Sequence, residues 1–579
     1  MSVSARPRGS VPAWRVAVIG AVAALAVGIG VAAGSFLLVQ RTAAVGGGAA
    51  YVPADAPFFV ELRLEPSDAQ DAALRDLLGH FPPIEGIDLA RPLHAQLTGR
   101  LDELLPAEGA EISWAQDVAP WFDGHLAMAL TDLPAAVVDP MAVPTVPSFV
   151  VLLGVTDAAA ADEAIGRFLA ELDDMAFVDE EHGGFTIRSS PSADGGAFAL
   201  TDDQLVLGSS ADEVRAALDA HAAGTGTLED LAEMTRLTEQ LPTDWLAFVS
   251  YDMTELMAQA FSEAGTAEPE MAAALESLME HQSLRGAMAM SASGDRFSLD
   301  AATDVPTGPF ALVNENRGLA DEVPSDTLYF SDAGNVGAAL AGVIEPLKEA
   351  AAATPEAAEQ LRVAEAALGG DLEELVSWID DAAIAIGYDG SEPYGGLVLV
   401  PNDQDVAQRR LDQLGSFAAL AALDPASGIS VEERDVAGVT VTTIRWEAPD
   451  DAVAFMLPVA VGIHIEYAVT DDRALIGIGD AFVGRVLELD ASASLASVAR
   501  YTDAVAGAGG AENAGVTWLD LAGTREAVEG ALGPMLGTAE GGGVYEAEVR
   551  PWLLPLDRFV SVSRLEGDVL VQRAALLVE

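Results

Sequence analysis

The sequence predicts an α+β chain in which an N-terminal transmembrane helix is followed by two homologous modules of mainly antiparallel sheet with packed helices. Three observations carry this prediction. Residues 16–39 form one uncharged apolar run, six sequence blocks recur in the same order 246 to 273 positions later, and short strand-like stretches come as neighbouring pairs around tight turns.

The apolar run lies within WRVAVIGAVAALAVGIGVAAGSFLLVQR, where Val16 to Val39 give 24 uncharged residues between Arg15 and Arg41. As a helix it is about 36 Å long, enough to cross a hydrocarbon core of about 30 Å with some tilt. A cleaved signal would carry an apolar core of only about 7–15 residues, so an uncleaved anchor is expected, although alanines at 43–50 leave a cleavage site open. Arg6, Arg8 and Arg15 precede the run, which places the basic tail 1–15 in the cytoplasm and the rest outside. Gly30 and Gly34 are a small-xxx-small pair, a weak signal for a homodimer. Residues 40–50, rich in Gly and Ala, read as a tether.

The body reads as one unit written twice, module 1 at 51–307 and module 2 at 320–579, with a linker at 308–319. ALTDDQLVLGSSADEVRAAL at 199–218 returns as AVTDDRALIGIGDAFVGRVL at 468–487: strand, Asp-Asp turn, strand, helix. Ser210 with Glu213 is a capping-box pattern, Val214, Ala217 and Leu218 line one helix face, and Asp480 is the expected cap in the second copy. VPADAPFFVELRL at 52–64 matches 323–335, and the block around Trp121 matches that around Trp378. The strand-helix stretch from 149 matches that from 395, Asp252 stands opposite Asp520, and the final hairpin at 290–305 matches 563–578. Phe58, Val60, Leu62 and Leu64 alternate with Phe59, Glu61 and Arg63, as in a half-buried strand. The Pro-rich DPMAVPTVPS at 139–148 is a loop special to the first copy.

The Arg-flanked span, the tether and VPADAPFFVELRLEPSDAQDAALRDLLGHFPPI resemble the start of bacterial membrane-anchored proteins grouped as domain of unknown function 3352. The likeness is concentrated in residues 14–84. It implies a bacterial envelope protein and brings no catalytic residue, substrate or cofactor.

Charge narrows the partners. Residues 1–50 hold four arginines and no acid, which leaves the remaining chain with 91 acids against 25 bases, a charge of −66. Nucleic acid is therefore not an expected partner, nor is docking of the body on anionic lipid. The single lysine, Lys348, beside 28 arginines fits either GC-rich coding or high-salt adaptation. With no cysteine there is no disulfide, thiolate metal site or cysteine nucleophile.

Catalytic signatures are missing. The histidines at 80, 94, 125, 182, 221, 281 and 464 show no metal-binding spacing, and there is no GxSxG elbow, SxxK lysine, GxGxxG or phosphate loop. Asp-Asp pairs at 173–174, 202–203, 380–381 and 471–472 offer oxygen ligands for calcium but lack the spacing of a dedicated loop, so turn chemistry is the simpler reading. No catalytic, cofactor-binding or metal residue is assigned and no cofactor is expected. The expected function is a non-enzymatic binding or scaffolding role in the envelope, with membrane lipid around 16–39 and an unidentified envelope protein or ligand as partners. The alternative is a carboxylate-dependent hydrolase with its site between the two modules.

Overall fold

The computed structural model describes residues 47–579 apart from 85–86, 97–112, 133–147, 172–176, 191–195, 255–256, 259–272, 275, 278, 369, 425–426, 447–462 and 537–541. The tail 1–15, the apolar run 16–39, tether residues 40–46, the Pro-rich loop at 139–147 and the Asp-Asp pair at 173–174 lie outside the described residues. Among the described residues no helix is long and apolar enough to cross a membrane.

Among the described residues twenty strands form one sheet. The first half supplies β1 (Phe58–Arg63), β2 (Phe122–Asp132), β3 (Ser148–Val155), β4 (Val178–His182), β5 (Phe185–Ser189), β6 (Ala197–Leu200), β7 (Gln204–Gly208), β8 (Ala247–Asp252), β9 (Arg285–Ser293) and β10 (Arg296–Asp304). Their hydrogen bonds set the order β4-β5-β6-β7-β3-β2-β1-β8-β9-β10, antiparallel throughout. The second half supplies β11 (Thr327–Ala333), β12 (Ile379–Tyr388), β13 (Pro393–Pro401), β14 (Ile429–Val436), β15 (Val439–Trp446), β16 (Ile463–Val469), β17 (Ala474–Ile478), β18 (Gly515–Asp520), β19 (Leu556–Glu566) and β20 (Val569–Val578). Their order is β14-β15-β16-β17-β13-β12-β11-β18-β19-β20, strand for strand that of the first half.

The halves join through β10 and β20, the same strand of each copy, paired antiparallel from Arg296 opposite Leu577 to Asp304 opposite Val569. At the centre Asp300 faces Arg573. These two residues occupy the same position in their repeats, so the joint is self-facing in the manner of a two-fold interface within one chain.

Helices cover both faces, as the apolar content of both strand faces requires. Among the described residues the helices of six residues or more are α1 (Asp68–Leu78), α2 (Ala158–Glu171), α3 (Ala211–Ala223), α4 (Ala232–Thr238), α5 (Val336–Ala352), α6 (Pro355–Leu368), α7 (Gln404–Ala421), α8 (Phe482–Leu487), α9 (Ala499–Ala508) and α10 (Leu521–Leu536); α6 packs on α5. In the first half α3 and α4 close one core with Phe59, Trp245 and Phe248, and α2 closes a second with Trp114, Phe122 and Val155. In the second half α8 and α9 close a core with Phe330, Phe482 and Trp518, and α7 packs with Trp378, Leu399 and Tyr467.

Several expectations are refined. Gly47–Tyr51, assigned in part to the tether, is a 3-10 turn whose Ala49 and Tyr51 are fully buried in the first core. Leu319–Glu322, partly read as linker, is the matching turn, with Leu319 buried in the second core. The first unit thus takes in residues read as tether, because Gly and Ala at a close-packed turn look like a flexible tether in composition, and the second takes in Leu319 alone from the linker. The linker is a strap: Asn314 accepts from the Leu565 N–H and donates to the Leu565 carbonyl, and Arg317 pairs with Asp332 at 3.2 Å.

Ser210 caps α3 by accepting from the Glu213 N–H, while the Glu213 carboxylate accepts from Thr131 and does not close the reciprocal bond. Asp480 does not cap α8. Its partners are Arg445 and His464, and the Val483 N–H is accepted by Glu466, a fully buried carboxylate on β16. On β1 the most buried residues are Phe59 and Glu61, the reverse of the face that carries Val60 and Leu62.

Candidate functional site

The Asp-Asp pairs at 202–203 and 471–472 sit at hairpin turns, whereas Asp380 and Asp381 lie in β12. Thr201 and Thr470 each accept, at Oγ1, the N–H three residues on, from Gln204 at 2.9 Å and Arg473 at 3.0 Å, which closes the same hairpin twice. In copy one Tyr51 donates to Asp203 at 2.5 Å, and burial foremost pushes the Tyr51 hydroxyl's ionisation up. In copy two the equivalent position holds Glu322, which pairs with Arg473 at 2.6 Å. The same place ties the 3-10 turn to the hairpin by different chemistry. Histidines are dispersed: His125 on Glu61, His182 on Asp219, His221 stacked on Tyr51, His281 on Thr307 and His464 on Asp480. Among the described residues no three metal-ligating side chains converge.

The junction between halves holds a cavity of about 130 Å³ lined by Arg296, Asp300, Asp503, Arg558 and Arg573. Burial pushes the Asp300 carboxyl up to about 7 and Arg573 opposes that shift. Two acids do approach one cavity here, as the hydrolase alternative requires. The space is below the roughly 300–1,000 Å³ of small-molecule sites, and three arginines share it.

A larger site lies in the second half. A groove of about 620 Å³ opens between α5 and α7 above β11, β12, β13 and β17. Ala382, Ile384, Leu397 and Ile476 form its floor, and Leu340, Leu414 and Phe417 its walls. Its polar members are engaged elsewhere: Arg410 pairs with Glu374 at 2.6 Å, and Asp332 is held by Arg317 and the Val516 N–H.

Local sequence holds the walls in place. Asn335, with φ 56°, turns the chain into α5, and at Gly337 a Cβ would collide with the Ile379 and Val376 carbonyls, so that helix start lies hard against β12. Gly415 lets α7 close on the Tyr467 hydroxyl. Ala407, Leu411 and Gly415 form the buried stripe of α7, which leaves Leu414 44% and Phe417 40% exposed on the groove side.

The first half fills the equivalent space. Leu126 occupies the register position of Ala382, since each faces the residue three beyond the core phenylalanine of the first strand, Leu62 after Phe59 and Ala333 after Phe330. Trp114 packs edge-on against Phe122 at 5.2 Å, and both are buried with Ala161 and Ala164 of α2. Counting from the paired Trp121 and Trp378, the positions of Trp114 and Phe122 are taken by Asp371 and Ile379. Lost side-chain volume opens the groove.

The sequence reading assigned no site residue and missed this groove. The available signal was α7 itself, QDVAQRRLDQLGSFAALA, which carries a second apolar series, Leu414, Phe417 and Leu420, beside the stripe that packs on the sheet.

No curated protein matches this chain. A solved structure described as "Structure of crystal form I of TP0453" is similar over 46% of this chain and 81% of that chain, at 6% identity and a TM-score of 0.21, a likeness too slight to support any argument. A family model described as "Protein of unknown function (DUF3352)" matches residues 18–543, nearly the whole chain, and the chain belongs to that family.

Proposed function

We propose that the protein is a single-pass, membrane-anchored binding protein of the bacterial envelope, with its body outside the cytoplasm and no catalytic task, and that the groove between α5 and α7 takes one apolar small molecule. The groove carries the reading. Its volume of about 620 Å³ falls in the range of ligand sites, and its lining is apolar with few, already satisfied polar groups. The anchor rests on the 24-residue apolar run and the arginines before it, and the family match begins inside that run.

Two measurements test this. N-phenyl-1-naphthylamine, a neutral apolar fluorophore, should bind the full-length protein saturably, and Ile384→Asp or Leu414→Asp should weaken it at least about tenfold, the effect of roughly 1.4 kcal/mol. Binding unchanged in both variants would move the site elsewhere. A reporter fused after Glu579 should be active only outside the cytoplasm; cytoplasmic activity would reverse the topology.

A further inference from the structure

We infer that the occupant of the groove is one hydrocarbon chain of a neutral or zwitterionic membrane lipid, whose head group stays outside the groove. This rests on the groove being the binding site proposed above. Size argues against a protein partner: a stable protein interface buries about 800 Å² on each side, whereas this floor crosses only the four neighbouring strands β11, β12, β13 and β17, roughly 14 Å.

The lining then selects the chemistry. The floor is aliphatic, through Ala382, Ile384, Leu397, Leu399 and Ile476, and the two charged side chains at its border, Arg410 and Asp332, are already paired. With both charged groups paired, the groove presents no free ionic partner for a phosphate or carboxylate among the described residues, and a body of charge −66 repels an anionic head. A hydrocarbon chain needs no polar partner and gains about fourfold in affinity for each methylene it buries. An apolar run able to span a bilayer would keep the groove where such chains are abundant.

The test uses the full chain reconstituted in phosphatidylcholine vesicles with a trace of phosphatidylcholine bearing a diazirine near the end of one acyl chain. After irradiation, mapped crosslinks are expected on the segments holding Ile384, Leu414 and Phe417, and on residues 16–39, which serve as the internal reference. Ala382→Leu, which places the first half's residue in the groove, should lower the groove label about tenfold relative to the anchor label. Leu414→Asn gives a second variant, and a thermal melt of each confirms folding. Groove label that is unchanged in both folded variants overturns the inference. Label on the anchor alone, while a compact neutral aromatic diazirine still labels the groove, overturns the lipid-chain inference and leaves the binding site standing. Failure of both probes to label the groove overturns the two together.

Discussion

Glu61 is fully buried on β1, and its carboxylate meets His125 Nδ1 on β2 at 2.6 Å. The copy of this position in the second half is Asp332, which meets Arg317. Both repeats keep an acid inside the sheet and change the cation. Hydrogen bonding to Glu61 raises the His125 pKa above its ordinary 6.5, against the lowering effect of burial. A raised histidine pKa contributes stability that is complete below the unfolded value and is lost as pH rises through the folded one. His125→Ala should therefore cost about 2–4 kcal/mol by leaving Glu61 buried without that partner. In melts across pH 5 to 9 the gap to the parent should be widest at the acid end and narrow upward; a gap that grows with pH would contradict the pairing.

Among the elements, α2 and α7 show how one repeat came to be closed and the other open. Trp114→Ala should cost about 3–5 kcal/mol through the cavity it leaves under α2, and should give the first half a new site for N-phenyl-1-naphthylamine. A melt and a titration check both; an unchanged melting temperature would mean that Trp114 does not fill the space. The strands, turns and repeat order could be read from the sequence because alternation and turn chemistry are local. Asp157 and Asp403, for example, each accept from an N–H three residues on, Ala160 and Val406, at the start of α2 and α7. Register was less legible. The gapless match that aligns Trp121 with Trp378 slips by one residue further on, since Ala129 faces Phe59 as Ala385 faces Phe330, and β2 takes up the difference in an irregularity between Phe122 and Leu126. The groove was illegible for a different reason: an exposed Leu414 has meaning only once Trp114, distant in the sequence, is known to have no counterpart beneath α7.

At the scale of the whole molecule, the two outer strands of the sheet are equivalent, β4 and β14, each hydrogen-bonded on one side only among the described residues. Both are acidic and exposed, with Asp179, Glu180 and Glu181 on one and Glu432, Glu433 and Asp435 on the other, which guards an otherwise open ribbon against pairing with further chains. The joint in the middle is polar at its centre. Asp300 binds its proton more tightly folded than unfolded, with a pKa near 7 against 3.8, so its contribution is most favourable at low pH and is lost as pH rises from about 4 to 7. Asp300→Asn should raise the melting temperature at pH 8 relative to the parent and make no such difference at pH 4; equal effects at both would show that the carboxyl does not titrate there. The self-facing geometry of Asp300 and Arg573 also bears on choice of partner. Were either half to meet a second copy of itself along this strand, Asp would face Asp or Arg would face Arg, and like charges would push the pair apart. At the centre of the joint, where a residue faces its own counterpart, the repeats carry opposite charges, so the pairing of unlike halves sets an attraction where a pairing of like halves would set a repulsion.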